Sequence, residues 1–502
     1  ILHLYDVLYT YKDKITHILT APEQGASHAA VGYARSTGKV GVCFATSGPG
    51  ATNLTTGIAT AYMDSSPVVF ITCNVAEPLL GKDSFQEVDI TGIAMPITKA
   101  TYLVDDVNEL ADVVREAFHL AASGRPGPVM IDIVKDVTAA KTEFEYLPKE
   151  KHATSGRLAS LMERARSAAL KMPEVDQADV NKLVEMIAES QKPMLICGGG
   201  VVRGRAHKEF REFAEKMDAP VASTLMGGGG FPGDHPLTTG MIGMHGSKAS
   251  NVAVSKCDLL IAVGCRFSDR VALNPATFAA QAKIVQIDID RSEIDKNVLT
   301  DHHIIGDAKQ VLQMLLDRLP QADHSEWKEY VFSFPTETQY DDSHVMSPKQ
   351  ILSTVSRLCP EDTIVSTDVG QHQMWAALFL NAKGPRKFIT SGGLGTMGFG
   401  FPAAIGSQFG FPNRNVILIT GDGSFQMNMQ ELAIMKQFKL PIKICLMNNG
   451  FLGMVHQWQK LFFDGNYSAT ILDSAPNWEK LADAYDIKYM RIDTLEQCDE
   501  KR

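Results

Sequence analysis

The sequence predicts an α/β protein built from three doubly wound parallel-sheet domains, and three observations carry that expectation. At 502 residues the chain is too long for one ordinary core and calls for about three domains of ~150 residues. Short β-branched runs alternate with stretches of helical period along most of its length, the rhythm of βαβ units. The apolar runs have strand length and end in Gly, Asp, Asn or Arg, as strands do when they feed loops at a sheet edge.

The composition, 45% hydrophobic and 21% charged with 40 Gly, is that of a soluble globular protein. Asp plus Glu outnumber Lys plus Arg by 58 to 48 and no basic stripe occurs, which argues against a nucleic-acid partner. The longest apolar runs, such as Val68–Cys73 and Ile442–Met447, fall well short of a spanning helix, which argues against a membrane. The eight cysteines, at positions 43, 73, 197, 257, 265, 359, 445 and 498, show no CxxC pair and no His at metal spacing. They read as reduced core residues of an intracellular, cytoplasmic protein. An organelle stays open, because the chain begins at Ile1 without Met and without a signal peptide.

In the first block, residues 1–150, strands are expected at Ile15–Leu19, Val40–Ala45, Pro67–Cys73 and Val129–Val134, with helices at Gln24–Arg35 and Ala51–Tyr62. The polar stretch Thr142–Asp179 reads as a linker carrying a helical surface piece. The second block, 178–320, offers strands at Pro193–Cys197, Ala219–Ser223, Asp258–Val263 and Lys283–Ile289, and a connector follows over 318–345. The third block, 345–502, offers strands at Thr363–Thr367, Val416–Thr420, Ile442–Met447 and Ile487–Arg491. The chain stops at Arg502 soon after the last of these, so a fragment is expected, lacking a short N-terminal piece and a longer C-terminal one.

The sharpest signal is Gly421-Asp422-Gly423-Ser424, followed after 23 residues by Asn448-Asn449. The residues between read as a strand ending at Thr420, a helix over Asn428–Phe438 with Met429, Leu432, Met435 and Phe438 on one face, and a strand over Ile442–Met447. A right-handed crossover then lays the two strands side by side and parallel, so Asp422 and Asn449 leave the sheet together at its carboxyl edge, where open α/β folds bind ligands. A carboxylate and an amide oxygen are hard donors suited to magnesium, which completes its shell with phosphate oxygens. Gly421 and Gly423 let the backbone approach such phosphates, and Ser424 opens a helix whose N-terminus favours anions. Either piece alone is more often a turn or a strand terminator.

Together, at this spacing, the two pieces resemble the signature of thiamine-diphosphate-dependent enzymes. The resemblance implies Asp422, Asn449 and the main-chain carbonyl of Phe451 as metal ligands. It implies Glu23, in Ala21-Pro22-Glu23-Gln24-Gly25-Ala26, as the acid beside the aminopyrimidine ring; Pro22 stands where many relatives carry His. It places Gly370, Gln371 and His372 in an outer diphosphate loop, Met397 as the apolar wedge between the two rings, and Met454 beside the cofactor.

Within that family the chain resembles acetohydroxyacid synthase over essentially its whole length. The discriminating pieces are Phe85-Gln86-Glu87, Lys135 in Val134-Lys135-Asp136, Met244-His245-Gly246, Arg266-Phe267-Ser268-Asp269-Arg270 and Met454-Val455-His456-Gln457-Trp458. The resemblance implies decarboxylation of pyruvate and condensation of the two-carbon remainder with pyruvate or 2-ketobutyrate. Arg270 would grip the acceptor carboxylate through its bidentate fork. Trp458 would shape the acceptor pocket, and Phe85, Gln86 and Lys135 would line its entrance. The RFSDR segment resembles the flavin-binding branch, implying FAD with no part in the net reaction, contacted near Gly199, Met244, Arg266, Asp288 and Asp307. The resemblance further implies a homodimer or homotetramer with sites at the subunit interface, and leaves room for a small regulatory subunit. Alternatives on the same plan are a pyruvate oxidase or another carboligase; Glu23 argues against the glyoxylate enzyme, whose family lacks this acid. A non-catalytic homologue would be expected to lack Glu23, Asp422 or Asn449, and all three are present.

Overall fold

The computed structural model describes residues 1–143, 172–337, 346–380 and 384–500. Three sheets organise them. The first joins β1 (Gly41–Ala45), β2 (Val68–Cys73), β3 (Ala100–Val104) and β4 (Pro128–Ile133) in the order β1-β2-β4-β3. The second joins β5 (Pro193–Cys197), β6 (Val221–Ser223), β7 (Thr238–Met241), β8 (Leu259–Val263), β9 (Lys283–Asp288) and β10 (His302–Ile305) in the order β10-β9-β8-β5-β6-β7. The third joins β11 (Ile364–Thr367), β12 (Phe388–Ile389), β13 (Val416–Gly421) and β14 (Lys443–Met447) in the order β12-β11-β13-β14. Every ladder of the first two sheets is parallel, as is that between β13 and β14.

The second sheet shows why its central strands are mostly apolar. Successive side chains point to opposite faces, so Leu195, Leu259, Ile261, Val263, Val285 and Ile287 pack into one core with Phe210, Phe213 and Leu312. Their neighbours Met194, Ile196, Leu260, Ala262 and Ile284 pack into another with Ala249, Ala253 and Trp327. A strand covered on both faces has no position at which a polar residue is favoured.

By internal packing the chain forms two compact units. One holds the first sheet together with residues 366–369 and 391–489, and the other holds the second sheet together with residues 370–390. Inside the first unit, helix Glu23–Thr37 and helix Gly400–Gly410 approach to backbone contact. A Cβ on Gly32 would stand 2.1 Å from the Ala403 carbonyl oxygen, and one on Gly406 would stand 1.8 Å from that of Ala29. Ser407 Oγ donates to the Gly32 carbonyl at 3.2 Å across the same contact.

Several expectations need correction. Ile15–Leu19 is not a strand: Ile15 and Leu19 are exposed, and no described strand pairs with them. Ile487–Arg491 is likewise irregular, with Tyr489 and Met490 exposed and no ladder partner among the described residues. The helix expected over Asn428–Phe438 is a 3-10 turn at Met429–Glu431 followed by a helix at Leu432–Gln437. Its start is delayed because Asn428 Nδ2 donates to the Gly398 carbonyl at 2.6 Å, holding Asn428 outside the helix, and the buried residues there are Glu431, Leu432 and Ile434 rather than Met435. Strands β3, β7, β10 and β12 were not anticipated. Most of the expected linker Thr142–Asp179 lies outside the described residues, and a helix opens near its end at Gln177–Glu189. The expected connector over 318–345 carries a helix at Ser325–Phe332, and 338–345 lies outside the described residues. Of the cysteines, 43, 73, 197, 257 and 265 are buried free thiols, while Cys359 and Cys445 are only partly covered; nothing is described of the Cys498 side chain.

The helix contact is a stability test. Gly406→Ala should cost about 1–3 kcal/mol by forcing two backbones apart, read as a lower thermal midpoint in calorimetry, and an unchanged midpoint would show that the helices separate freely.

Candidate functional site

β13 and β14 pair in register with Gly421 opposite Met447, so Asp422 and Asn448-Asn449 leave the sheet at the same edge. The two ends touch: the Gly450 N–H donates to Asp422 Oδ2 at 2.8 Å, and Asn449 Oδ1 accepts the Phe451 N–H at 3.1 Å. Asp422 is buried, and burial pushes its carboxyl above the usual range, partly offset by the N–H groups of Gly450 and Gly423. The loop after Asn449 is strapped down, since the Leu452 N–H donates to the Thr470 carbonyl and the Leu472 N–H to the Gly450 carbonyl, each at 2.8 Å.

Among the described residues, no group of three or more His, Cys, Asp and Glu could hold a metal ion. The donors at this edge are instead one carboxylate, one amide and main-chain carbonyls. Such a set suits a small hard cation whose remaining ligands are oxygens of a bound phosphate. A Cβ on Gly423 would stand 2.8 Å from Leu452 and 3.9 Å from Met397 Cε, so the Met397 segment and the strapped loop converge on the Gly-Asp-Gly turn. The Met397 segment is fixed on its N-terminal side: the Gly393 N–H donates to Asp64 at 2.7 Å, and the Thr396 hydroxyl bonds that of Thr60 at 2.8 Å. Gly370 caps helix Gln371–Phe379, and the buried His372 ring lies against it.

Glu23 is the first residue of helix Glu23–Thr37. Asn53 Nδ2 donates to Glu23 Oε2 at 2.9 Å, and Gly50 lets Glu23 Oε1 lie where a Cβ would be 3.2 Å away. The same turn carries Gly48, whose φ of +58° favours glycine, and a Cβ there would stand 2.9 Å from the Gln86 backbone. Glu23 and Gln86 thus meet one turn, Gly48–Asn53. Gln86 itself has φ of +61°, and the loop that holds it is drawn around the Glu87 carboxylate, which accepts N–H groups of Gly81, Lys82 and Ser84. Phe85 beside it is 88% exposed, far too open to be a core aromatic.

In the second sheet Gly199, Arg266 and Asp307 follow β5, β8 and β10 and Asp288 ends β9, four adjacent strands, so all four stand at one carboxyl edge. Asp307 also caps helix Ala308–Leu316 by accepting the Gln310 N–H at 3.1 Å. Arg270 and Met244 are neighbours, the Met244 N–H donating to the Arg270 carbonyl at 3.0 Å. His245, next to Met244 in the chain, is held below its usual pKa by burial and then by the Arg270 charge. Met454 and Trp458 share helix Gly453–Phe462, and Trp458 is partly exposed. Lys135 is exposed at the start of helix Lys135–Ala139, after β4.

Comparison with known proteins matches three parts of the chain to thiamine pyrophosphate enzyme families: the N-terminal TPP binding domain over residues 1–93, the central domain over 180–315 and the C-terminal TPP binding domain over 368–501. A probable acetolactate synthase large subunit of Methanocaldococcus jannaschii is 46% identical over 100% of this chain and 84% of its own length. An acetolactate synthase of Arthrospira platensis is 46% identical over 98% of this chain and 85% of its own. The acetolactate synthase isozyme 2 large subunit of Escherichia coli is 44% identical over 99% and 87%. The chain belongs to the acetolactate synthase family.

Three residues of this family member escaped the sequence reading. Asn53 could have been suspected from the Thr46-Ser-Gly-Pro-Gly turn before it. Asp368 is fully buried, above its usual pKa through burial, and accepts the N–H groups of Gly398 at 2.8 Å and Val369 at 3.1 Å, tying the Met397 segment to the end of β11. Glu431 is also buried. Its Oε1 accepts the Ala21 N–H at 3.2 Å and lies 2.1 Å from where a Gly25 Cβ would be, so it sits beneath the turn that presents Glu23. Nothing in a helical Gln-Glu-Leu segment marks that contact in advance.

Burial pushes the Glu431 carboxyl up to about 7, against which the Ala21 N–H works. A folded value above the unfolded one means that this group's contribution is fully present below pH 4.5 and is lost as pH rises through about 7. Glu431→Gln keeps an oxygen for Ala21 but cannot ionise. Its thermal midpoint should therefore fall less than the native one between about pH 5 and about pH 8, and parallel curves would refute the buried-acid assignment.

Proposed function

We propose that the chain is the catalytic polypeptide of an acetolactate-forming enzyme. Pyruvate loses carbon dioxide, and the two-carbon remainder joins pyruvate or 2-ketobutyrate, giving acetolactate or acetohydroxybutyrate, the first common step of branched-chain amino-acid synthesis. The observation that carries this reading is the convergence of Asp422 with Asn448–Gly450 at one sheet edge. The names printed for the Methanocaldococcus, Arthrospira and Escherichia relatives support it.

Thiamine diphosphate, when bound, supplies an acidic ring carbon that adds to a ketone and then accepts the electron pair released by decarboxylation. Asp422, Asn449 and the Phe451 carbonyl would hold Mg2+, with Gly421, Gly423 and Ser424 against the diphosphate and Gly370, Gln371 and His372 as its outer loop. Met397 and Met454 would brace the rings. Glu23, steadied by Asn53, would exchange a proton with a ring nitrogen, which needs a carboxylate within hydrogen-bond reach and reachable by the cofactor. Arg270 would orient the acceptor carboxylate, Trp458 would close the pocket, and Phe85, Gln86 and Lys135 would line its mouth. Against one methylene such a pocket discriminates by only ~1–3 kcal/mol.

FAD would lie at the carboxyl edge of the second sheet, where Arg266 would offer a cation and Asp288, at the end of β9, an acceptor for hydroxyls, with Gly199, Met244 and Asp307 as further contacts. The exposed apolar side chains of Phe85, Leu461, Phe462 and Phe463 support a homodimer or homotetramer with sites completed by a second copy. A small regulatory subunit is a further partner in this reading. No helix among the described residues is long and apolar enough to cross a membrane, and free thiols fit a reducing, cytoplasmic setting.

The test is an assay of the full chain with pyruvate, with and without 2-ketobutyrate, thiamine diphosphate and Mg2+. Acetolactate without oxygen uptake is expected, and oxygen uptake without acetolactate would favour an oxidase. Glu23→Gln should lower kcat at least ~100-fold while cofactor binding persists, and Asp422→Asn should abolish Mg2+-dependent retention of the cofactor.

A further inference from the structure

An aromatic path runs from the core of the first unit to the Asn448-Asn449 turn. Phe401, buried in helix Gly400–Gly410, lies 5.5 Å from the Phe425 ring, and Phe425 lies 6.0 Å from Trp478. The Trp478 Nε1–H donates to Asn448 Oδ1 at 3.2 Å. Phe425 ends the short helix that Asp422 begins, and Asn448 precedes Asn449. One side chain therefore leans on the first half of the Gly-Asp-Gly…Asn-Asn motif and holds the second by a hydrogen bond. Trp478 is in turn the first residue of a helix, Trp478–Ala484, capped by Asn477, whose side chain accepts the Lys480 N–H at 3.0 Å.

Asn448 is exposed, so without a partner its side chain and the turn behind it would sample many arrangements. Indole N–H is a donor only, which selects the amide oxygen of Asn448 and orients that amide. We propose that Trp478 is a positioning residue for the candidate cation site, holding the Asn448-Asn449 turn in register with Asp422. The inference rests on the reading that Asp422 and Asn449 hold a divalent cation.

Phenylalanine keeps the ring contact with Phe425 and deletes the donor, which separates the two roles. The measurement is a calorimetric titration of MgCl2 into the full chain saturated with thiamine diphosphate. Trp478→Phe should raise the Mg2+ dissociation constant roughly three- to tenfold, with the thermal midpoint of the cofactor-free protein unchanged. Asn448→Ala should do the same, and the double variant should be no weaker than either single one, because both remove one interaction. Additive effects, or an unchanged Mg2+ affinity in Trp478→Phe, would overturn the proposal. Asp422→Asn distinguishes the two levels: if it abolishes Mg2+ binding while Trp478→Phe does nothing, only the positioning role falls, and if it too leaves Mg2+ binding intact, the cation site falls as well.

Discussion

The parallel pairing of β13 with β14 is the constraint on which the candidate site depends. Because Gly421 stands opposite Met447, the chain segments that follow each strand begin side by side, and Asp422 meets the Gly450 N–H without any specific loop design. Parallel strands place every such exit on one edge, so a carboxylate from one crossover and an amide from the next are neighbours by topology. What remains for side chains is refinement, and the buried Asp368 supplies part of it by holding the Gly398 N–H, and with it the segment that carries Met397. A buried carboxylate that has few charges nearby is costly to ionise. Both Asp422 and Asp368 stand above the usual range for that reason, which is the state in which a divalent cation beside Asp422 would have most to gain.

A second constraint acts on Glu23. Its helix meets helix Gly400–Gly410 at Gly32 and Gly406 with no room for a methyl group, so the helix that begins with Glu23 cannot slide or roll without a backbone collision. Glu431 then fills the space beneath the preceding turn, accepting from Ala21 and excluding any side chain at Gly25. Glu23 is held from the other side by Asn53. Two carboxyls separated by a single turn thus live in different media: Glu431 is buried, which pushes its carboxyl up to about 7, while Glu23 is partly open and hydrogen-bonded by an amide. In the proposed reading, where Glu23 exchanges a proton with the cofactor, that contrast matters, since a second carboxyl of similar exposure would perturb the first.

Much of this was legible in the chain alone, and the misses share causes. Strands β2, β5, β8, β9 and β13 announce themselves because their runs are mostly apolar, with Thr72, Gln286 and Thr420 among the few polar exceptions. β7 carries a Gly and β10 begins with two His, so neither reads as a strand, and both owe their existence to a neighbour already in place. Ile15–Leu19 and Ile487–Arg491 fail in the opposite sense: β-branched residues without a ladder do not make a strand. The Gly421–Ser424 and Asn448-Asn449 pieces were readable because their spacing implies a topology. Asp368, Glu431 and Trp478 were not, because each acts through contacts more than 25 residues away in sequence, and local pattern holds no record of such contacts.

The candidate residues also divide by how firmly they are held. Asp422, Ser424, Asp368 and His372 are buried at strand or helix ends, where a shift of one would disturb the sheet. Phe85, Gln86, Arg270 and Trp458 stand on loops or at an exposed helix face, with Phe85 and Trp458 open to solvent and Gln86 in a left-handed conformation imposed by its own loop. In the proposed reading the first set grips the diphosphate end of a cofactor, a task common to every reaction that cofactor serves. The second set meets the acceptor, whose identity distinguishes one reaction from another. Side chains outside the core can change with little cost to folding, usually within about ±0.5 kcal/mol. Acceptor preference can therefore drift while the cofactor end stays fixed, and the same frame can serve several carbon–carbon bond-forming chemistries without a change of fold.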